Sequence, residues 1–230
     1  MSRIGKCITF AAVTAVIFSA MINPAWAGRG NGNNGGNGGG GNDDGDKTSV
    51  VLTEAEIAGL VFMREEEKLA RDVYLNLYDE WGLTVFQNIS ESEQKHTDAI
   101  EGLLEKYGIP DPVPEYEEGD DYRGIYEDKD LQALYDVLIA DGLASPTAGL
   151  VVGATIEEKD IVDIQEKIDK ADQADIISTY ESLMCGSRNH LRAFMQNLSA
   201  AGEPYAPQFL DPEEFDAILE DALETDCSAY

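Results

Sequence analysis

Phe86–Tyr107 reads FQNISESEQKHTDAIEGLLEKY, and its apolar residues recur at the spacing of an α-helix. One row of side chains advances alternately by three and four residues, which places the whole row on one helix face. Its members are Phe86, Ile89, Glu93, His96, Ile100, Leu103 and Tyr107. A carboxylate and an imidazole in the middle of an apolar face are costly to bury unless something pairs with them. The pattern therefore predicts a buried helix whose polar pair, Glu93 and His96, requires a partner.

Three further segments carry an apolar row of the same kind, and each row is interrupted near its midpoint. The interruptions are Glu67, Glu157, and Ser187 together with His190. The rows are Leu60, Met63, Glu67, Ala70, Tyr74, Leu77; Leu150, Ala154, Glu157, Ile161, Ile164, Ile168; and Ile176, Tyr180, Leu183, Ser187, His190, Phe194. His96 and His190 are the chain's two histidines, so both fall at such an interruption.

Capping signals predict where the helices begin and end. Thr53-x-x-Glu56 is a capping box, Ser145-Pro146 and Asp172 are suitable N-caps, and Gly82 and Gly108 are suitable helix ends. Four long helices are expected, at 54–81, 84–107, 146–170 and 173–201. Two short ones are expected at about 131–138 and after Asp211-Pro212.

The lengths of the connections predict the architecture. Two or three residues separate the first two long helices, so they should be antiparallel neighbours. A long connection, Ile109–Ala144, follows them. Two antiparallel pairs joined by one long connection are typical of the ferritin-like bundle. The predicted fold class is therefore all-α: a ferritin-like four-helix bundle with one long crossover between the second and third long helices.

Residues 1–27 have the pattern of an export signal. Arg3 and Lys6 precede an apolar run, Cys7–Ile22, and Ala25-Trp26-Ala27 fits a cleavage site. We therefore expect an exported protein, whether periplasmic, at the cell surface or secreted. No segment is long and apolar enough for a membrane span.

Composition divides the remaining chain into three parts. Residues 28–47 are rich in Gly and Asn and are expected to form a flexible linker. Residues 48–205 should form the bundle, and residues 206–230 an acidic C-terminal tail with a short helix.

The charge of the chain limits its partners. The formal net charge is −29. Loss of the signal removes two of the 16 basic residues and none of the 45 acidic ones, which gives −31. Such acidity argues against binding to nucleic acid or anionic membranes. The expected partners are metal ions, and a homodimer is left open as an alternative to a monomer.

Two cysteines, Cys185 and Cys227, remain after signal removal. An even number in an exported protein suggests a disulfide, with unpaired thiols as the alternative. The bridge would attach the acidic tail to the last long helix.

The polar interruptions form a candidate metal site. In an antiparallel bundle the midpoints of the four rows lie at one level, so Glu67, Glu93, His96, Glu157 and His190 should converge. Two-metal carboxylate bundles use one Glu from each of two helices and Glu-x-x-His from each of the other two.

One position departs from that pattern, because Ser187 stands where a second Glu-x-x-His would have its Glu. Asp160, one helical turn after Glu157, is the candidate to supply the missing carboxylate. Glu66 and Glu158 lie one residue off the rows, so replacing either with Ala is expected to be nearly silent.

Two motifs carry a resemblance to a known family. They are Met63-Arg64-Glu65-Glu66-Glu67-Lys68-Leu69-Ala70-Arg71-Asp72-Val73-Tyr74 and Gly186-Ser187-x-Asn189-His190-Leu191-Arg192-Ala193-Phe194. They resemble the ferritin-like family known as domain of unknown function 2202, over about residues 50–200. The first motif, followed by Glu93-x-x-His96, is more distantly similar to rubrerythrin-type di-iron domains. The resemblance implies a ferritin-like bundle and brings no established substrate.

Three functions are compatible with the sequence. The first is a mononuclear or dinuclear iron or manganese site that reacts with oxygen or peroxide, since these metals suit mixed carboxylate and imidazole ligands. The second is a non-catalytic metal-binding module at the cell surface. The third is an interaction domain whose polar cluster is a hydrogen-bonded core network. Whether the protein is an enzyme is left open, and no residue is assigned a catalytic role.

Overall fold

Six α-helices make up the regular secondary structure of the residues that the structure, a computed structural model, describes: 51–114, 122–225 and 227. They are α1 (Glu54–Trp81), α2 (Thr84–Tyr107), α3 (Lys129–Gly142), α4 (Pro146–Ile168), α5 (Ala174–Ala201) and α6 (Pro212–Glu220). The predicted all-α fold is confirmed, and no helix in these ranges is long and apolar enough to cross a membrane. The expected signal peptide (1–27) and linker (28–47) lie outside the described residues.

Most of the predicted helix ends are confirmed by their caps. The side chains of Thr53 and Glu56 form the predicted capping box at the start of α1. Ser145 and Asp211 accept hydrogen bonds at the starts of α4 and α6. Gly82 and Gly108 end α1 and α2 in the left-handed conformation, with φ of 63° and 65°. The short helix expected at 131–138 is longer and runs from Lys129 to Gly142.

The predicted cap of α5 is wrong. Gln173, rather than Asp172, is the N-cap residue, and its side chain makes no capping bond. The backbone N–H groups of both residues instead donate to Glu56 Oε1 at 2.9 Å. A carboxylate from the first turn of α1 therefore satisfies the start of α5, a partner that local sequence cannot reveal.

Contacts between the long helices show that spatial neighbours are antiparallel. As contacts advance along α1 they retreat along α2, from Arg64 with Thr97 to Glu67 with His96 and Arg71 with Gln94. The pairs between α4 and α5 behave in the same way: Gly153 with Phe194, Glu157 with His190, and Asp160 with Ser187. The contacts of α1 with α4, and of α2 with α5, show that these pairs are antiparallel as well. The four long helices thus form a bundle in the order α1–α2–α5–α4, with one long crossover between α2 and α4.

The crossover is attached to α1 by buried charges. Glu65 accepts from the backbone of Glu127 and Asp128, just before α3 begins. Asp72 accepts from Lys68 Nζ at 2.6 Å and from the Tyr126 hydroxyl at 2.9 Å. These bonds place α3 against α1 and α4, where it covers one side of the bundle.

The C-terminal segment is held to α4 and α5. Glu158 accepts backbone hydrogen bonds from Gln208, Phe209 and Leu210, at 2.9–3.1 Å. Further along, Cys185 of α5 and Cys227 form a disulfide with a Cα–Cα distance of 5.2 Å. The tail therefore lies against the outer side of α5.

Removal of the disulfide should lower stability measurably. The bridge closes a loop of 42 residues. In the chain-entropy description this contributes about 4 kcal/mol to the free energy of unfolding. The double variant Cys185→Ser, Cys227→Ser should lose about that amount in urea unfolding. Thiol titration of the unreduced, denatured chain lacking residues 1–27 provides the check: no reactive thiol is expected, and two would contradict the bridge.

Candidate metal centre

The five residues that the sequence nominates as ligands meet in the middle of the bundle. Glu67 comes from α1, Glu93 and His96 from α2, Glu157 from α4 and His190 from α5. The three glutamate residues are each 1% exposed, and the residues His96 and His190 are 9% and 8% exposed. The convergence follows from the antiparallel order, because the interruption of each apolar row lies near the middle of its helix.

Glu93 is the centre of the cluster. Its Oε2 lies 2.7 Å from His96 Nδ1, and its Oε1 lies 2.8 Å from His190 Nδ1. Glu67 Oε2 lies 3.2 Å from His96 Nδ1, and Glu157 Oε2 lies 3.4 Å from His190 Nδ1. The two imidazole rings stack with their centroids 5.6 Å apart. Each oxygen of Glu93 therefore faces one histidine, and each histidine has one further glutamate.

This arrangement contains two potential three-residue metal sites that share Glu93. Glu67, Glu93 and His96 form the first, and Glu93, Glu157 and His190 form the second. Within each group the ligand atoms lie within 4.8 Å of one another. The sharing of one carboxylate is the geometry of a bridging ligand between two ions.

The short contacts of Glu93 with the histidines do not have the angles of hydrogen bonds. Both of its oxygens, together with His190 Nδ1 and Glu67 Oε1, are buried without a hydrogen-bond partner among the described residues. Two ligand atoms about 2.1 Å from one ion and roughly at right angles to each other lie about 3 Å apart. Nitrogen and oxygen atoms that approach this closely without pointing at each other therefore have the spacing of atoms that share an ion.

Two residues whose roles the sequence left open, Asp160 and Ser187, form a pair beside the centre. The Ser187 hydroxyl donates to Asp160 Oδ2, and Oδ1 of the same carboxylate has no hydrogen-bond partner. Neither residue belongs to the two three-residue groups. A carboxylate that a hydroxyl orients therefore lies beside the position at which Ser187 departs from the two-metal pattern.

Tyr74 contacts the centre from the other side. Its hydroxyl donates to Glu157 Oε1 at 2.5 Å. The ring packs against Phe86 and Phe194, with centroids 6.3 and 5.3 Å away. Tyr74 therefore orients Glu157 and separates the polar cluster from the core on that side.

Without a metal, protons on the histidines balance the charge of the cluster. Burial lowers the pKa of His96, but the negative charges of Glu93 and Glu67 raise it further, to well above its usual value. Burial also lowers the pKa of His190, but the negative charges of Glu93 and Glu157 outweigh this effect and raise the pKa to about 10. Burial raises the pKa of Glu67 to about 7, against the lowering effect of His96. Burial also acts to raise the pKa of Glu93, but its two imidazolium neighbours lower it below the usual range.

Glu66 and Glu158, whose replacement with Ala was expected to be nearly silent, are not at exposed positions. Both are buried, at 5% and 0% exposure. Glu158 holds the segment 208–210, and Glu66 lies 3.6 Å from the ammonium of Lys159. The neighbouring elements surround α1 and α4 more completely than a single apolar row predicts, so residues beside the row are buried as well.

Sequence analysis assigned no role to Gly186, although it lies directly against the centre. A Cβ atom at this position would lie 2.6 Å from both Cε1 and Nε2 of His96. The absence of a side chain therefore leaves the space that the His96 ring occupies. The Gly186-Ser187 sequence, noted above as part of a family motif, was the available signal.

Comparisons with known proteins place the chain among relatives of undescribed function. Residues 56–222 match the family described as "Uncharacterized protein domain (DUF2202)". The chain is 49% identical, over 173 residues, to the uncharacterized protein MJ0754 of Methanocaldococcus jannaschii, covering 75% of this chain and 91% of the relative. The crystal structure of hypothetical protein MJ0754 matches with a TM-score of 0.72 at 48% identity, covering 76% of this chain and 97% of the other. The match to the family includes the whole cluster from Glu67 to His190.

The role of Gly186 can be tested by comparing two Gly→Ala substitutions in helices. In Gly186→Ala the new methyl group overlaps the His96 ring, and overpacking of this kind costs about 1–3 kcal/mol. In Gly102→Ala, on the exposed face of α2, nothing lies within 4 Å of the new atom. That variant should gain up to about 1 kcal/mol from helix propensity. Urea unfolding measures both, and equal stabilisation of the two variants would contradict the proposed packing.

Proposed function

The chain belongs to the DUF2202 family, and we propose that its buried cluster binds two metal ions that share Glu93 as a bridging ligand. Glu67 and His96 would complete one site, and Glu157 and His190 the other. The observation that carries the proposal is the set of buried ligand atoms without hydrogen-bond partners, both oxygens of Glu93 above all. Buried charges are normally paired, hydrogen-bonded or bound to a metal.

The chemistry of the donors supports iron or manganese. Three carboxylates and two imidazoles provide oxygen and nitrogen ligands, a mixture that suits these ions, whereas no described thiol lies at the cluster. Such ions, when bound, supply redox chemistry with oxygen or peroxide. Two hydroxyl groups of the protein orient carboxylates: Tyr74 positions Glu157, and Ser187 positions the outer carboxylate of Asp160. The apolar residues around them limit access of water.

A hydrogen-bonded core network explains the cluster less well. A polar network contributes to stability when its members are satisfied, and it is costly when they are not. Here the most central residue, Glu93, has no hydrogen bond of acceptable direction on either oxygen.

A non-catalytic metal-binding module is the second candidate, because Ser187 replaces a carboxylate that the two-metal pattern would contain. A spectroscopic change on adding peroxide to the reduced, iron-loaded protein separates the two metal-binding functions. A redox centre gives a new absorption band, whereas a structural or sequestering site does not.

Export is part of the proposal. The Cys185–Cys227 disulfide supports it, since structural disulfides form and persist mainly in oxidising compartments. The acidic surface of a tethered, exported domain would also attract cations.

Native mass spectrometry tests these proposals together. Protein recovered from outside the cytoplasm should begin at Gly28, and after loading with Mn²⁺ it should hold about two ions per chain. His96→Ala and His190→Ala should each reduce this to about one ion, because each removes a ligand from one site. Glu93→Ala should lose most of both ions, since it alone contributes to both sites.

Lys106→Ala is the control for these variants. Lys106 is exposed on α2 and pairs with Asp175 rather than with the cluster, so its metal content should equal that of the parent. The proposal fails if the parent protein binds neither iron, manganese nor zinc. It also fails if the double histidine variant retains the full metal content.

A further inference from the structure

A small apolar cavity lies beside the proposed centre, between α1, α3 and α4. Its volume is about 40 Å³, and it is open on one side to solvent. Its lining exposes almost only carbon atoms and includes Leu69, Leu134, Leu138, Ile156 and Phe209. A cavity measured in this way needs about 10–15 Å³ to hold one water molecule, so this one has room for a molecule of two heavy atoms.

We propose that this cavity binds dioxygen and is the route by which dioxygen reaches the centre. The route rests on the metal-binding function proposed above, and it identifies dioxygen rather than peroxide as the oxidant that enters between α1, α3 and α4. Two features of the cavity support this role: its apolar surface and the position of its inner wall.

The polar residues of the lining contribute little polar surface to the cavity. The Thr155 hydroxyl donates to a backbone carbonyl of its own helix, and the Lys159 ammonium pairs with an aspartate one turn further along α4. Asp160 accepts the hydrogen bond of Ser187, and the unpartnered oxygens of Glu66 and Asp160 are buried. A molecule inside the cavity therefore meets carbon atoms rather than hydrogen-bonding groups.

This surface selects between the two candidate oxidants. Hydrogen peroxide forms hydrogen bonds with water, and their loss in an apolar cavity is costly. Dioxygen is apolar, and apolar solutes move favourably from water to apolar surroundings. A polar solute has another approach, since His96 and His190, at 9% and 8% exposure, are the members of the centre most accessible to solvent.

The inner wall of the cavity adjoins residues of both proposed metal sites. Ala70 lies one helical turn after Glu67 on α1, and Asp160 lies one turn after Glu157 on α4. Burial raises the pKa of Asp160, and the negative charges of Glu67, Glu157 and Glu93 raise it further, as nearby carboxylates do. Asp160 is therefore the residue that lies between the cavity and the centre.

Xenon tests the binding site without a metal, because it is an apolar atom that binds in cavities of this kind. Crystals of the metal-free protein under xenon pressure should show one xenon atom between Leu69, Leu138 and Ile156. Leu134→Trp places a larger side chain in the cavity and should abolish this peak, and Leu134→Phe is the milder variant. Leu219→Trp, at a half-buried leucine of α6 outside the lining, is the matched control and should keep the peak.

The rate of oxidation tests the route. Stopped-flow absorbance follows the iron(II)-loaded protein after mixing with dioxygen or, separately, with hydrogen peroxide. Leu134→Trp should slow the reaction with dioxygen by about tenfold, the lower end of the range for association rates among variants of one site. The rate with hydrogen peroxide and the Kd for Co²⁺ should not change, because Leu134 lies on α3, which supplies no proposed ligand. Leu219→Trp should equal the parent with both oxidants.

Absence of xenon from the parent protein would overturn the binding site. Parental rates with dioxygen in both Leu134 variants would overturn the route, and so would equal slowing with both oxidants, which would indicate a disturbed centre. If the parent binds no iron or reacts with neither oxidant, the proposed function fails, and the xenon peak alone decides whether the cavity is a gas-binding site.

Discussion

Burial of three carboxylates and two imidazoles at one level of a helical bundle is the constraint on which the rest of the structure depends. None of the four long helices has a continuous apolar face, because each contributes at least one polar group at mid-height. These groups are tolerable only where they meet, since an isolated charge in such surroundings is costly. The antiparallel order of the helices brings these groups together. Glu93, with one oxygen towards each histidine, belongs to both three-residue groups.

The residues around the cluster are arranged to hold it. On one side Tyr74, Phe86 and Phe194 form an aromatic layer, and the Tyr74 hydroxyl orients Glu157. On α5, Gly186 leaves the volume that the His96 ring fills. The lack of a side chain at Gly186 therefore allows the backbone of α5 to lie close to the His96 ring.

Sequence periodicity predicted the long helices and the members of the cluster, because both depend on short-range spacing. The same reasoning does not reveal the burial of the run from Arg64 to Asp72, whose charged residues are all buried. Two of them bond to different neighbouring elements: Arg64 to α2, and Glu65 to the backbone before α3. Glu66 and Glu158, which lie one residue off the apolar rows, are buried in the same way. A pattern along one helix reports which face is most apolar, whereas a helix surrounded by neighbours buries all of its faces.

The position of metal ions relative to Glu93 is the most direct test of the proposed function. Crystals of the protein purified from its own host, measured at the iron and manganese absorption edges, locate such ions by anomalous scattering. The proposed two-ion centre predicts two peaks, one between Glu67, Glu93 and His96 and the other between Glu93, Glu157 and His190. A centre without anomalous signal, or ions bound only at exposed carboxylates, would contradict it.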